Sequence, residues 1–298
     1  MDNREQIKTE FLKRLQDFAL TLKDFVSTED NQWTVKGFID VFENIYTISA
    51  DTKIVSKILE IHLFSKFLEF ANYYNYELVL AAHQNYYPDI SFVSKENSDI
   101  KFAVDLKTTY RDNKNSNFCN GFTLGSHGEY FINRNSSKNI QFPYSHYLGH
   151  YCLGAIYSRN TLSDLEETKT YKINQLNEIQ SVISNFEFFA QEKWRIASDK
   201  SGSGNTANIG SITFIKDILK GNGVFSKLGE SWFDEYWANY GKITQIETKI
   251  RKGEEVTEPV KITNIKSYLK FKGKDDDWIA QNVLLKKTSG NTKGGEDE

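Results

Sequence analysis

The chain reads as one mixed α/β or α+β domain, and three observations predict it. Phe11, Leu15, Phe18, Leu22 and Phe25 recur at spacings of three and four, which is helical periodicity. "DISFV" and "IKFAVDLK" alternate on either side of the turn signal "KENSD", the grammar of an antiparallel hairpin. Between these lies a second helical stretch, so helices and strands interleave along one chain. With 298 residues, 39% hydrophobic and 14% aromatic, the composition is that of a packed globule and not of a disordered chain.

Taken in order, the first helix ends near Phe25, and a second opens at Asp51, a good N-cap, to run through "TKIVSKILEIHLFSKFLEFANYY". The hairpin follows, then a polar, Asn-rich loop over 112–121. Segment 144–158, "YSHYLGHYCLGAIYS", reads as a buried helix or strand, with helix favoured. "FEFFAQEKWRIA" and "IGSITFIKDIL" read as strands or strand starts around a glycine-rich loop, and 226–240 as an aromatic-rich helix. Nothing resembles a linker, so residues 1–284 are expected to form one domain, with a C-terminal extension from about 245. The remainder, 285–298, reads as a floppy tail.

Several classes drop out. No stretch approaches the ~18–20 apolar residues that span a bilayer, and no N-terminal apolar run suggests a signal peptide. Cys119 and Cys152 lack metal-type spacing and are expected to be reduced thiols of a cytoplasmic protein. A net charge of −3 does not advertise a nucleic-acid binder, although "KITNIKSYLKFKGK" at 261–274 holds five lysines and no acid.

The hairpin carries the chemistry. Alternation puts Phe102, Val104 and Leu106 on a core face, with Ala103, Asp105 and Lys107 on the other. A turn centred near Asn97 sets Asp89 opposite Asp105, where Cβ atoms are about 5 Å apart and like charges repel. A divalent cation resolves that repulsion, and Mg²⁺ takes one or two carboxylates plus water and phosphate oxygens. Lys107 then stands ready to orient a water or to stabilise charge on a phosphate. A solvated hairpin face shows the same residue pattern. Glu60, on the second helix in line with Phe64 and Phe67, is a third acid seeking a partner.

Two further stretches point to nucleic acid. In "SGSGNTAN", Gly202 and Gly204 let main chain approach a ligand closely, while Asn205 and Asn208 offer paired donors and acceptors. Gln84 and Asn85 precede Asp89 and lie within reach of a base or sugar. A mobile loop and an ordinary polar turn are the plainer alternatives. His146 and His150 have no third ligand for zinc, Ser203 lacks a nucleophile elbow, and the aromatics of 232–240 suit a core.

The blocks "SADTKIVSKILE", "QNYYPDISF", "AVDLKTTY", "GFTLG", "SSKNIQFPYSHYLGH", "YSRN", "TYKINQLNEI" and "GSGNTANIGSI" fall in one order over roughly residues 50–215. Through them the chain resembles the EcoRV family of type II restriction endonucleases, in the PD-(D/E)xK nuclease superfamily. The resemblance implies a restriction-endonuclease-like core, a central mixed β-sheet flanked by helices. It assigns Asp89, Asp105 and Glu60 to the metal, and Lys107 to catalysis. Gly202, Ser203, Gly204, Asn205, Thr206 and Asn208 fall in the recognition loop, with Gln84 and Asn85 towards the minor groove. Thr108, Thr109, Lys138 and Arg159 fall near backbone or recognition contacts.

It further implies a Mg²⁺-dependent homodimer cutting double-stranded DNA bluntly at GATATC, leaving 5′-phosphate and 3′-hydroxyl ends. A cognate methyltransferase would belong to the same system without being a physical partner. Ala207 departs from the family's threonine, and Ala238 and Lys242 from its arginines. Residues 245–298 find no counterpart, and the lysines of 261–274 are expected to supply replacement phosphate contacts. The rival readings are a structure-specific or repair nuclease of the same superfamily and a non-catalytic, sequence-specific DNA-binding protein.

Overall fold

The structure is a computed structural model that describes residues 3–83, 85–160, 169–202, 207–251 and 253–284. After helix α1 (Asn3–Val26) come strands β1 (Gly37–Ile39) and β2 (Asn44–Thr47), then helix α2 (Thr52–Tyr73). Strands β3 (Tyr76–Leu80), β4 (Ile90–Ser94), β5 (Lys101–Tyr110) and β6 (Thr123–Ser126) lead to the short helix α3 (Glu129–Ile132). Next are β7 (Gly149–Arg159), β8 (Thr170–Lys172), β9 (Ile183–Glu192), β10 (Ala197–Ser201) and β11 (Asn208–Ser211). Helices α4 (Ile215–Lys220) and α5 (Glu230–Asn239), the hairpin β12 (Thr244–Arg251) and β13 (Glu254–Lys261), and helices α6 (Ile265–Phe271) and α7 (Asp276–Asn282) complete the described chain.

The central sheet has the order β3-β4-β5-β7-β9 and is mixed. Only the β5–β7 pair is parallel; the other neighbours are antiparallel. Helix α2 opens where the Asp51 carboxylate accepts the Lys53 and Ile54 N–H groups at 2.9 and 3.2 Å, satisfying two donors that the first turn leaves over. Its Val55, Leu59, Leu63 and Phe67 join Phe11, Leu15 and Leu22 of α1 against Phe92, Phe102, Val104 and Leu106. Phe11 stacks on Phe102 with ring centroids 3.8 Å apart.

The opposite face of the sheet is covered too. Ala103, Cys152, Ile156 and Phe189 meet Leu124, Ile209 and Ala197 of a second sheet, ordered β10-β11-β6, together with Phe233 and Trp237 of α5. The face expected to carry the hairpin acids is therefore a layer interface and not an open surface. Cys119 and Cys152 are buried free thiols.

One element differs in kind from its expectation. Residues 149–159 form β7, preceded by a single 3-10 turn at Tyr144–His146, where helix was the favoured of two readings, helix or strand, over 144–158. The strand lies between β5 and β9 with both faces covered, so its side chains have no reason to alternate between apolar and polar. His146 and His150 consequently share no helix face. His150 is buried, stacks on Tyr144 at 3.6 Å and shares a 2.9 Å hydrogen bond with the Tyr87 hydroxyl.

Candidate active site

The β4–β5 register pairs Ile90 with Val104, so Asp89 stands at the next step, opposite Asp105. The turn position and the alternation predicted this pairing. Local hydrogen bonds lock it: the Asp89 N–H donates to Asp105 Oδ1 at 3.2 Å, and the Leu106 N–H to Asp89 Oδ2 at 2.8 Å. Lys107 Nζ lies 3.0 Å from Asp105 Oδ2 and 3.7 Å from Asp89 Oδ2. Pro88, joined to Tyr87 by a cis peptide bond, delivers Asp89 to the strand.

Electrostatics follow from that crowding. Burial, with the charges of Asp105 and Glu60, raises the Asp89 pKa to about 6 against the opposing pull of Lys107 and the Leu106 N–H. Burial works against the Lys107 ammonium, but Asp105 and Asp89 outweigh it and hold its pKa above the ordinary lysine value. The cluster is thus an oxygen-rich site with one carboxylate reluctant to ionise. That donor chemistry fits a hard divalent cation, whose charge favours the carboxylate form. Among the described residues no group of three or more His, Cys, Asp or Glu stands ready to hold a metal. Two carboxylates leave coordination positions for water and phosphate, which suits Mg²⁺ better than an all-protein cage would.

Asp89 and Lys107 face a cleft of about 1050 Å³ lined also by Glu60, Thr52, Thr108, Thr109, Thr123 and Asn208. A recess of about 480 Å³ brings Asp89, Asp105 and Lys107 together with Asn85, Lys138, Gly125, Tyr130 and Asn208. Most of the expected residues therefore converge. Gly202 sits beside them: its N–H donates to the Asn208 carbonyl at 2.7 Å, and a Cβ on it would lie 2.7 Å from Thr123 Cγ2.

Others stand apart. Glu60 lines the cleft but pairs with Lys57 at 2.8 Å and does not join the two aspartates in one cluster. Arg159 is held by Thr52 at 2.8 Å and lies over the Tyr110 ring at 3.6 Å, outside the residues that line the cleft. Gln84, Ser203, Gly204, Asn205 and Thr206 lie outside the described residues. Three of the lysines in 261–274 already pair within the chain, Lys266 and Lys270 with Asp276 and Lys272 with Glu235. Sequence reasoning gave Thr123, Gly125 and Tyr130 no individual role. Gly125 and Thr123 lie in "GFTLGS", where the glycine at φ 93° was the available signal.

Comparison with known proteins identifies the family. The model of the family described as restriction endonuclease EcoRV matches residues 29–273, reaching past the point near 245 where no counterpart was expected. The type II restriction enzyme EcoRV of Escherichia coli is 37% identical over 221 residues, 73% of this chain and 86% of that protein. A match of this length and identity shows the family. The chain belongs to the EcoRV family of type II restriction endonucleases, site-specific deoxyribonucleases that cut DNA.

Proposed function

We propose that the chain is a Mg²⁺-dependent homodimer that hydrolyses both strands of GATATC at its centre, leaving blunt 5′-phosphate and 3′-hydroxyl ends. The observation that carries this reading is the Asp89, Asp105 and Lys107 cluster, held by strand pairing at the wall of a cleft. Asp89 and Asp105 would hold the ion, with Glu60 reaching it only after leaving Lys57. When bound, Mg²⁺ supplies Lewis acidity to the phosphate and acidifies water. Lys107, fixed by two carboxylates, offers its ammonium to a phosphate oxygen and stabilises the charge that builds there. Its pairing favours that role over proton abstraction.

Thr108 and Thr109 follow Lys107 on β5 and line the cleft, placed to hold the duplex backbone. Asn208, Gly202 and the loop residues Ser203, Gly204, Asn205 and Thr206 would read the major groove, with Gln84 and Asn85 on the minor-groove side. Lys138 lines the recess and would meet a phosphate. Arg159 would act through its hold on Thr52.

Dimerisation has its own support. The small sheet β1-β2-β8 and its β1–β2 turn expose Phe38, Ile39, Val41, Phe42 and Tyr46, an apolar set that a second copy would cover. A two-fold dimer matches a palindromic duplex and brings one site to each strand. A flexible TA step at the centre of GATATC would let bending add to discrimination. The function fits a cytoplasmic enzyme protected by a cognate methyltransferase that need not touch it. Plasmid digestion with Mg²⁺, followed by sequencing of the ends, tests the whole reading. Blunt ends at the centre of GATATC are expected; ends scattered over unrelated sequences would contradict it.

A further inference from the structure

Lys193 opens the 3-10 turn Lys193–Arg195 that follows β9, and it is 3% exposed. Its Nζ finds no hydrogen-bond partner among the described residues. The ammonium instead lies 4.7 Å from the Tyr87 ring centre and 5.9 Å from those of Phe131 and Tyr144. Tyr130 closes this cage, stacking on Tyr87 at 5.4 Å. The last wall is Gly125, where a Cβ would come within 3.0 Å of Lys193 Nζ and 3.4 Å of the Tyr130 hydroxyl. Gly125 and Tyr130 also line the recess that holds Asp89, Asp105 and Lys107. Gly125 therefore has the recess beside it and the ammonium against its α-carbon.

Packing does not explain a lysine here. A buried ammonium without a hydrogen-bond partner costs stability, and facing aromatic rings recover only part of it. A methionine would fill the same cage without that cost. Burial lowers the Lys193 pKa to about 8, and Asp105 is the acid that most opposes the fall, so the charge persists at neutral pH and is felt at the site. Asp89, Asp105 and Glu129 against Lys107 and Lys138 leave the recess one negative charge in excess. Lys193 supplies the missing positive charge from the protein side, where neither solvent nor substrate can displace it.

We propose that Lys193 is a positioning residue of the nuclease site, a caged charge behind Gly125 that loosens the recess's hold on a divalent cation and strengthens its hold on the scissile phosphate. The proposal rests on the reading of Asp89, Asp105 and Lys107 as that site. Even with screening close to that of bulk water, a fixed charge near the ion changes its affinity by about fivefold. The sign separates this role from a structural one, because a damaged site binds metal more weakly.

The test is Mn²⁺ binding to the DNA-free full chain, read from the EPR signal of the free ion. Asp105→Asn should weaken binding, which checks the site. Lys193→Met should tighten it about fivefold, with an unfolding temperature no lower than that of the parent. Cleavage of specific DNA at saturating Mg²⁺ should slow about tenfold, as expected when charge stabilisation is lost. Lys193→Gln provides the same comparison should the methionine variant not fold. Mn²⁺ affinity that is unchanged or weaker in a folded Lys193 variant overturns the proposal. Binding that survives Asp105→Asn unaltered would instead overturn the reading of the site, and the proposal with it.

Discussion

Replacing Asp89 by asparagine should stabilise the metal-free protein while removing its activity. The carboxylate is raised from 3.8 to about 6 by burial and by Asp105. At about 1.4 kcal/mol per pKa unit, the full shift opposes folding by about 3 kcal/mol. The side chain is 39% exposed, so solvent screening reduces this to about 1–2 kcal/mol. The sign follows from linkage: a raised folded-state pKa leaves no penalty below the unfolded value near 4. The penalty then grows as pH rises through about 6. An asparagine keeps the acceptor for the Leu106 N–H and leaves Lys107 its shorter partner, Asp105, at 3.0 Å. Urea unfolding in EDTA should therefore show Asp89→Asn more stable by about 1–2 kcal/mol at pH 7.5, the gain shrinking as pH approaches 4. Cleavage with Mg²⁺ should fall by about a hundredfold or more. An asparagine variant less stable than its parent at pH 7.5, or still cutting at the parental rate, would rule out this role for Asp89.

Four other outcomes are expected. Phe102→Ala removes the ring stacked on Phe11 in the helix-covered core, and urea unfolding should show a loss of about 3–5 kcal/mol. Burial, then the charges of Lys193 and Arg134, hold the His150 pKa well below the ordinary value, so its neutral form is favoured in the fold. The stability that this preserves is complete above about 6.5 and declines as pH falls below it, and His150→Gln should shrink the loss between pH 6.5 and 5 by about 1–2 kcal/mol. Asn208→Ala, at the wall shared by cleft and recess, should lower the preference for the cognate site over a one-base variant by about tenfold in competition binding. Neutralising Lys266, Lys270 and Lys272 together should change the slope of log affinity against log salt by less than about one, since their charges are already met by Asp276 and Glu235.

What the sequence disclosed and what it hid divide along physical lines. The pairing of Asp89 with Asp105 was legible because register in a hairpin follows from the turn centre and the two-residue alternation, both local. Helix α2 was legible for a similar reason, a capping aspartate ahead of a long periodic run. Strand β7 was not. "GHYCLGAIYSR" is buried along both faces, and a continuous apolar run carries no period that separates strand from helix. The covering of Asp105 by a second sheet was hidden as well, because β6 joins β10 and β11 from a distant part of the chain. Lys193 escaped notice for the same reason. Nothing near it in "QEKWRIA" shows that its side chain is caged by Tyr87 and Tyr144 against Gly125.

Hydrolysis of the phosphodiester is assigned to the Asp89, Asp105 and Lys107 cluster. Single-turnover cleavage of a labelled GATATC duplex by Asp105→Asn, with specific binding measured on the same duplex, tests it most directly. Cleavage should be slowed by about a hundredfold or more with specific binding retained. Cleavage within about tenfold of the parent would place the chemistry on other residues.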